Sequence, residues 1–492
     1  MDTIISSLNG ILWAPPIVYL ILAFGLLFSI LTKFCQIRLF KEMFKLIKES
    51  DASKAGVSPF QALWISVGSR VGTGNIAGVI TAIALGGPGA VFWMWVVAFI
   101  GAASAFIEST LSQIYKVKHA GQYRGGPAFY IEKGIGSKWF ARLFAVAAII
   151  ALAILLPQIQ SSTSAIAVES AFGVNPYLTG GIYALLLGFV ILGGVKRIAK
   201  TSQVIVPFMA FGYIAITLTV LAVNYDAIPS VLQLIFSSAF GLDSTFGGII
   251  GSAIAWGVKR GIYSNEAGMG TAAHHAGAAE VSHPVKQGLI QAFSVYIDTL
   301  LVCSGTAFLV LSTGMYNIFA KDGSYLVNHV PDVKMGPAYA QSAIDSVYPG
   351  FGSAFLAISL LFFTFTSVIA FFYIAETNLA FLIRDQKFSL GNKILKVVII
   401  VSTFYGATIS TSEAWAIGDV GMGLIIWINF IAILILAKPA VIALKDYESQ
   451  RKQGLNPVFH PSKLGIKNAD CWSEATAKPN DKVPSAAVEL LN

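Results

Sequence analysis

The sequence predicts an all-α integral membrane protein of eleven transmembrane helices, and three observations carry that expectation. Of its 492 residues 55% are hydrophobic and only 12% charged, far less charge than a soluble surface of this size carries. Eleven apolar runs reach the ~20 residues that a helix needs to cross a hydrocarbon core about 30 Å thick. Lysine and arginine gather in every second loop between the runs, the pattern of a multi-pass chain under the positive-inside rule.

The runs lie at 13–32, 58–85, 88–116, 139–171, 176–194, 203–224, 246–278, 285–314, 351–383, 393–411 and 413–437. Several exceed the minimum length, which implies tilt or irregular backbone. The first follows MDTIISSLNG. That start has no basic residue, and the run is too long for a cleavable signal, so it is expected to remain as a span. The basic loops follow the first, third, fifth and ninth runs: KFCQIRLFKEMFKLIKESDASK, KVKHAGQYRGG, GGVKRIAK and RDQK. The loops near 86–89, 172–176 and 224–229 carry almost no lysine or arginine. This distribution predicts a multi-pass protein of the cell (inner) membrane, with the N-terminus outside and the C-terminus in the cytoplasm. The net charge of +8 therefore concerns topology. No basic patch is interleaved with exposed aromatics, so nucleic acid is not an expected partner.

Cys35, Cys303 and Cys471 are far apart. Cys35 and Cys471 fall on the reducing side, so no disulfide framework is expected, and no zinc spacing exists. Trp13, Trp64, Trp93, Trp95 and Trp139 fall near the ends of runs, as interfacial anchors do. The outer loop 315–350, with Pro331, Pro337 and Pro349, reads either as a lid or as plain surface structure. The polar segment 440–492 reads as a cytoplasmic tail without fixed structure.

Two runs are interrupted. The second contains GSRVGTGNIAG at 68–78, with four glycines around Arg70, Thr73 and Asn75. Small residues four apart also suit close helix packing, but packing does not account for the polar groups between them. Broken backbone at membrane depth survives only where protein or a wet cavity surrounds it. The seventh run contains GSAIAWGVKRGIYSNEAGMGTAAHHAG, with Lys259, Arg260, Asn265 and Glu266 among its glycines. Charges inside a membrane are costly and point to function. The interruptions are five runs apart, which divides the chain into an N-terminal helix and linker (1–50), two five-helix repeats of opposite orientation (51–228 and 229–439) and the tail (440–492). Paired discontinuous helices in inverted repeats mark the binding site of secondary transporters.

Three stretches carry a family resemblance: GGPGAVFWMWVVAFIG at 86–101, SNEAGMG at 264–270 and VGTGNIAGV at 71–79. They resemble the hallmarks of the alanine or glycine:cation symporter family, and the likeness extends over essentially all eleven runs. The resemblance implies sodium-coupled uptake of small neutral amino acids and a leucine-transporter-type fold with ten core helices. It implies no organic cofactor, and the partners are alanine or glycine, sodium and the lipid bilayer, with a monomer favoured. Two departures stand out. Met269 replaces a common leucine, and 272–274 reads Ala-Ala-His where Ser-Ala-Pro is common.

Within that frame, Gly72, Thr73 and Gly74 are expected to hold a substrate carboxylate on free backbone N–H groups at a half-helix N-terminus. Asn75 would touch substrate or a second cation. The stretch 256–261, including Trp256 and Gly257, is expected to supply unwound carbonyls for the ammonium. Gln158, with Gln160 near it, either bonds the substrate or bridges two helices. Met269 and Trp256 would cap a small pocket. By resemblance the Thr366 and Ser367 hydroxyls bind sodium with carbonyls near Gly68, Val71 and Phe363. Hydroxyls bonding back to their own helix are the competing reading. Arg260 and Glu266 could pair with each other or line a gate or ion path. Glu108, Asp298 and Glu376 read either as partners of Arg70, Lys259 or Arg260, or as gating or proton-carrying groups. His274 and His275 are adjacent and make a poor metal pair. The competing classes are weaker. Proton coupling on the same scaffold would rest on a carboxylate. A channel lacks a repeated filter, and an enzyme would have only Ser264 and His274, without a third orienting group.

Overall fold

The computed structural model describes residues 2–48, 56–119, 121–243, 245–383 and 388–472. It is overwhelmingly helical. α1 (Asp2–Leu12) and α2 (Pro15–Leu31) meet at a 42° bend. The first predicted span is thus preceded by a further helix, tied to residues 416–419. Asn9 donates to the Ala416 carbonyl at 2.8 Å, and the Trp13 indole donates to the Asp419 carbonyl at 3.0 Å. Trp13 is a structural donor there as well as an aromatic at a span end.

The first basic loop is not plain loop. α3 (Cys35–Arg38) and α4 (Phe40–Lys48) turn along it. α4 buries Met43 and Leu46, while Phe40 and Phe44 pack on Phe293. α5 (Pro59–Arg70) and α6 (Val79–Gly86) form the first broken helix, with a π-helical turn Gly74–Gly78 between them. α7 (Gly89–Ile114) is the central post, on which the second broken helix packs. A hairpin of β1 (Val117–His119) and β2 (Gln122–Arg124) and the short α8 (Pro127–Tyr130) lead to α9 (Lys138–Ile150). α9 runs through a π-helical turn into α10 (Leu156–Phe172). α11 (Pro176–Ile191) and α12 (Gly194–Val223) turn apolar side chains outward. Leu185, Phe189, Phe208 and Phe211 are 77%, 68%, 77% and 71% exposed, so this face is suited to lipid and not to water.

α13 (Ile228–Ala239) precedes the second broken helix, α14 (Ile250–Asn265) and α15 (Thr271–Ala278). α16 (Pro284–Val295) continues through a π-helical segment, Tyr296–Cys303, into α17 (Ser304–Thr313). The outer loop then folds as a hairpin of β3 (Asn317–Phe319) and β4 (Tyr325–Asn328) followed by α18 (Pro337–Asp345). Gln341 of α18 bonds the Ala167 carbonyl of α10 at 3.2 Å, so the loop packs over the bundle. The two hairpins qualify the all-α expectation only at the ends of helices. α19 (Gly352–Leu382), α20 (Phe388–Gly406) and α21 (Thr411–Lys452) complete the chain.

By length and composition, seven helices among the described residues could cross a membrane, or eight with the bent α1–α2 pair counted as one. The broken helices and α11 account for the difference from eleven: each of their pieces is short by itself. The tail expectation needs correction. α21 runs on to Lys452, and residues 453–472 fold back under the bundle. Phe459 N donates to Ser282 O at 3.0 Å, Lys133 pairs with Asp470 at 2.8 Å, and Trp472 donates to the Gln113 carbonyl at 2.9 Å. The rest of the tail lies outside the described residues.

Candidate functional site

α5 is started by its own sequence. The Ser58 hydroxyl accepts from Gln61 N and Gln61 Oε1 accepts from Ser58 N, both at 3.1 Å, with Pro59 at the first helical position. This is a reciprocal cap. The helix stops at Val71, whose φ of −75° and ψ of 91° lead the chain out of helical geometry. Gly72 N turns to the Asn75 side-chain oxygen at 2.8 Å, which leaves the Gly68 carbonyl without its helical donor. Thr73 offers both its N–H (3.1 Å) and its hydroxyl (2.8 Å) to the Gln160 side-chain oxygen, and Gln160 donates to the Tyr263 hydroxyl at 3.2 Å.

Close approach explains the glycines. A Cβ on Gly72 would stand 2.5 Å from Ser367 Oγ and 2.9 Å from Gln160 Oε1. One on Gly74 would stand 3.0 Å from Ser264 Cα. The first break is thereby pressed against α10, α14 and α19. The Tyr263 and Trp415 rings pack tilted at 55° with centroids 4.6 Å apart, and Trp415 reaches 3.7 Å from where a Gly78 Cβ would stand.

The residues expected to hold sodium converge in part. Ser367 Oγ donates to the carbonyls of Gly68 and Phe363, each at 3.1 Å, and Thr366 Oγ1 donates to Phe363 O at 2.9 Å. Thr366 therefore bonds back to its own helix, whereas Ser367 also bridges to the first break. Val71, Phe363, Thr366 and Ser367 are fully buried.

The second interruption falls at the C-terminal part of the stretch in which it was expected. Residues 256–261 are continuous α-helix, and their carbonyls are not unwound. Gly257 and Gly261 are packing glycines, where a Cβ would meet Ala90 O and Val97 Cγ1 of α7 at 2.5 Å. The break comes at 266–270. Glu266 (φ 54°), Gly268 (φ 84°) and Gly270 (φ 81°) take left-handed backbone there, which glycine adopts freely and glutamate rarely. Met269 is buried within the break. Trp256 lies on the other side, against Gly86, with Lys259 and Arg260 over its ring at 5.4 Å and 5.1 Å. It does not join Gly72 and Thr73.

Arg260 does not pair with Glu266. It forms a two-pronged bridge to Asp419 of α21 at 2.9 Å and 3.1 Å, and Lys259 joins the same carboxylate at 2.7 Å. Glu266 accepts from Ser69 at 2.9 Å and from Thr271 at 2.7 Å. The carboxylate of Glu108 takes Gly270 N at 2.9 Å and Asn429 at 2.8 Å, and Asn429 also holds Gly268 O at 2.8 Å. The Tyr130 hydroxyl closes this knot on Asn429. Glu376 lies 3.9 Å from Arg124. Among the described residues, none of Glu108, Asp298 and Glu376 forms an ion pair with Arg70, Lys259 or Arg260.

Gln158 also turns elsewhere. It bonds the Ile154 carbonyl at 2.8 Å and Ser402 at 3.4 Å, which is the interhelical reading. Gln160 is the glutamine at the break. The helical period carried the signal. Gln160, Ser164 and Ala167 share one stripe, and Ser164 meets Thr364 of α19 at 2.5 Å.

Asn75 presents its amide N–H to Asp298 Oδ1 at 2.6 Å, since its oxygen is held by Gly72 N. It is not a cation ligand in this arrangement. Asp298 Oδ2 accepts from Ser264 at 2.9 Å and Thr299 at 2.8 Å. His274 bonds Gly270 O at 2.8 Å and Asn378 at 2.9 Å. No cluster of three or more His, Cys, Asp or Glu side chains suited to a metal occurs among the described residues.

Comparison with known proteins supplies the context. YrbD of Bacillus subtilis (strain 168) is 60% identical over 483 residues, 98% of this chain and 100% of that one. The sodium/proton-dependent alanine carrier protein of Bacillus sp. (strain PS3) is 50% identical over 441 residues, 89% of this chain and 99% of the carrier. Among solved structures, MhsT in complex with L-phenylalanine superposes with a TM-score of 0.57 over 86% of this chain and 96% of MhsT, at 13% identity. That likeness concerns the leucine-transporter-type fold alone. The profile of the sodium:alanine symporter family matches residues 1–461, and with relatives this similar over nearly their whole length the chain belongs to that family.

Proposed function

We propose that the protein is a secondary active transporter that carries alanine or glycine into the cell together with sodium, by alternating access. One observation carries the reading above the others. The two broken helices meet inside the bundle, with Gly74 against Ser264 and Thr73 linked through Gln160 to Tyr263. Broken backbone of this kind needs a function where intact helix would be more stable.

In this proposal Gly72, Thr73 and Gly74 bind the substrate carboxylate. The Asn75 and Gln160 side-chain oxygens satisfy the same N–H groups when substrate is absent, and a carboxylate displaces them. Tyr263 and Trp415, with Met269, bound a small pocket in place of Trp256. Sodium sits between Ser367, Thr366 and the carbonyls of Gly68, Val71 and Phe363. The bridge from Lys259 and Arg260 to Asp419 serves as a gate between α14 and α21. Eleven spans, arranged as one N-terminal helix and an inverted five-plus-five core, place the N-terminus outside. The protein works as a monomer without a cofactor and catalyses no chemical conversion.

Radiolabelled alanine uptake into proteoliposomes tests this, with and without an inward sodium gradient, beside a Thr73→Ala/Asn75→Ala double mutant. Sodium-dependent uptake that collapses in the double mutant is expected. Uptake that follows a proton gradient in sodium-free buffer would move the coupling onto a carboxylate. Normal uptake by the mutant would return the glycines to helix packing.

A further inference from the structure

We propose that Asp298 is a proton-carrying residue of the transport cycle, placed where the two broken helices meet. This rests on the symporter reading above and adds a second coupling position, apart from the Ser367 cluster. The first argument is charge balance. Arg70 is buried, and the carboxylates whose charge acts on it are Glu266, Asp298 and Glu108, all of them buried as well. Three ionised carboxylates facing one guanidinium leave two negative charges in a dry interior. A bound sodium ion offsets one of them, and a zwitterionic amino acid offsets none. An uncompensated buried carboxylate answers by taking a proton. Lys259 and Arg260 share the single carboxylate of Asp419 and keep one positive charge over, but the cation whose charge acts on the three acids is Arg70.

The three acids are not equivalent hosts. Glu108 is committed to Gly270 N and Asn429, and Glu266 to Ser69 and Thr271. Both brace the second break. Glu266 reaches only the last turn of α5, at Ser69, whereas Asp298 touches the non-helical part of the first break, through Asn75, and the end of α14, through Ser264. Its surroundings can satisfy both the ionised and the neutral acid. The groups that face its oxygens are the Asn75 amide N–H, the Ser264 and Thr299 hydroxyls and, through Asn75 and Ser264, the Cys303 thiol. As donors they hold the ionised carboxylate. The hydroxyls can rotate to accept, so the neutral acid is satisfied too. The charged and titratable groups facing Asp298 are Arg70 from α5, Glu266 from the second break and Cys303 from its own segment.

The proton also has a route to the substrate. On Asp298 it removes the charge that strengthens the bond from Asn75. Asn75 is the residue that holds Gly72 N. Loosening it frees that N–H for a carboxylate. The proton arrives on the Asp298 carboxylate from outside with substrate and leaves to the cytoplasm after substrate is released, so carboxylate and proton are both restored.

The test uses the full-length protein in proteoliposomes with a pH-sensitive dye inside, alanine outside and an inward sodium gradient. Alanine should acidify the lumen with the wild-type protein. Asp298→Asn should lose that acidification, and its remaining uptake should no longer vary with external pH. Asp298→Glu should keep the acidification with a displaced pH profile. Acidification by Asp298→Asn equal to wild type would overturn the proposal, as would wild-type sodium-driven uptake without acidification. Loss of sodium dependence in Asp298→Asn, with pH dependence intact, would also overturn it and point to a metal ion. Should Asp298→Asn fail to fold, an unchanged pH profile in Asp298→Glu is decisive against it. A wild-type protein that takes up no alanine under any gradient removes the symporter reading itself, and this inference falls with it.

Discussion

The two broken helices solve one problem with different chemistry. In the first, the freed N–H groups of Gly72 and Thr73 are held by neutral amide oxygens, those of Asn75 and Gln160. In the second, the N-terminus of α15 is held by a carboxylate, Glu108 on Gly270 N, and the turn is locked by left-handed backbone at Glu266, Gly268 and Gly270. Hydrogen bonds to an ionised group are about twice as strong as neutral ones. On the proposed function a substrate carboxylate displaces the amides of the first break, while the second break is closed by the protein's own acid. The first break would then be an exchangeable site and the second a clamp.

Glycine substitutions should separate the two most sharply. Gly270 has a φ of 81°, and a Cβ there would collide with Pro127. Left-handed backbone costs a non-glycine residue about 1–2 kcal/mol, and overpacking adds about 1–3 kcal/mol. Gly270→Ala should therefore lower the melting temperature and the folded yield. Gly72 carries no such backbone strain, and its neighbours within reach are the Ser367 hydroxyl and the end of the Gln160 side chain. Gly72→Ala should fold with a smaller shift in melting temperature and lose sodium-driven uptake. Size-exclusion thermostability beside uptake measures both. A Gly72→Ala protein that transports normally would break the comparison.

A smaller effect separates two glutamines of one helix. Gln160→Ala removes the oxygen that holds both Thr73 donors, so the affinity for alanine or its uptake rate should change. Gln158→Ala removes bonds to Ile154 and Ser402. It should cost about 0.5–1.5 kcal/mol of stability and leave the alanine concentration dependence as in the wild type. Uptake measured against alanine concentration for the two variants decides which glutamine serves the site.

Much of this was legible in the sequence, for reasons that also explain the failures. Charges and glycines in an apolar run located both interruptions, because intact membrane helix tolerates neither well. The unwound carbonyls of the second were expected ahead of the break at 266–270, on the helix at 256–261. There Lys259 and Arg260 stand out, but their partner Asp419 lies 159 and more residues away, and pairing lets the helix pass through unbroken. Gly257 and Gly261 read as part of the unwound stretch and serve as contact surfaces, a difference that depends on the neighbouring α7. Gln158 was preferred over Gln160 although their positions face different helices. Asp298 could be listed among the intramembrane acids, yet its bond to Asn75 spans 223 residues. The tail composition predicted disorder, and composition says nothing of a surface to dock on.

The smallest predicted effect concerns what lies beyond each break. α6 leads from the first break to the turn before α7, whereas α15 leads from the second to residues 279–283, where the folded-back tail is attached. His283 caps α16: its Nδ1 accepts Val285 N at 3.2 Å, and its Nε2 faces Asp446 Oδ2 at 3.2 Å. An accepting Nδ1 requires the neutral ring with its proton on Nε2, donated to Asp446. Burial holds His283 below the ordinary histidine range, against the pull of Asp446. The hydrogen bond from His283 holds Asp446 below the ordinary carboxylate range. Both signs run the same way. A lowered histidine means that the unfolded chain takes up its proton first as the pH falls below about 6.5, so acid favours release. A lowered carboxylate contributes stability that is present above its unfolded value and lost as the pH falls through the folded one. Acidification should therefore loosen residues 453–472, by about 1 kcal/mol or less for a site of this exposure. Limited proteolysis or hydrogen exchange of that segment should show less protection at pH ~5.5 than at pH ~7.5, with exchange in the first break unchanged. His283→Asn should flatten the response. A tail equally protected across that range would show that the His283–Asp446 contact does not hold residues 453–472 in place.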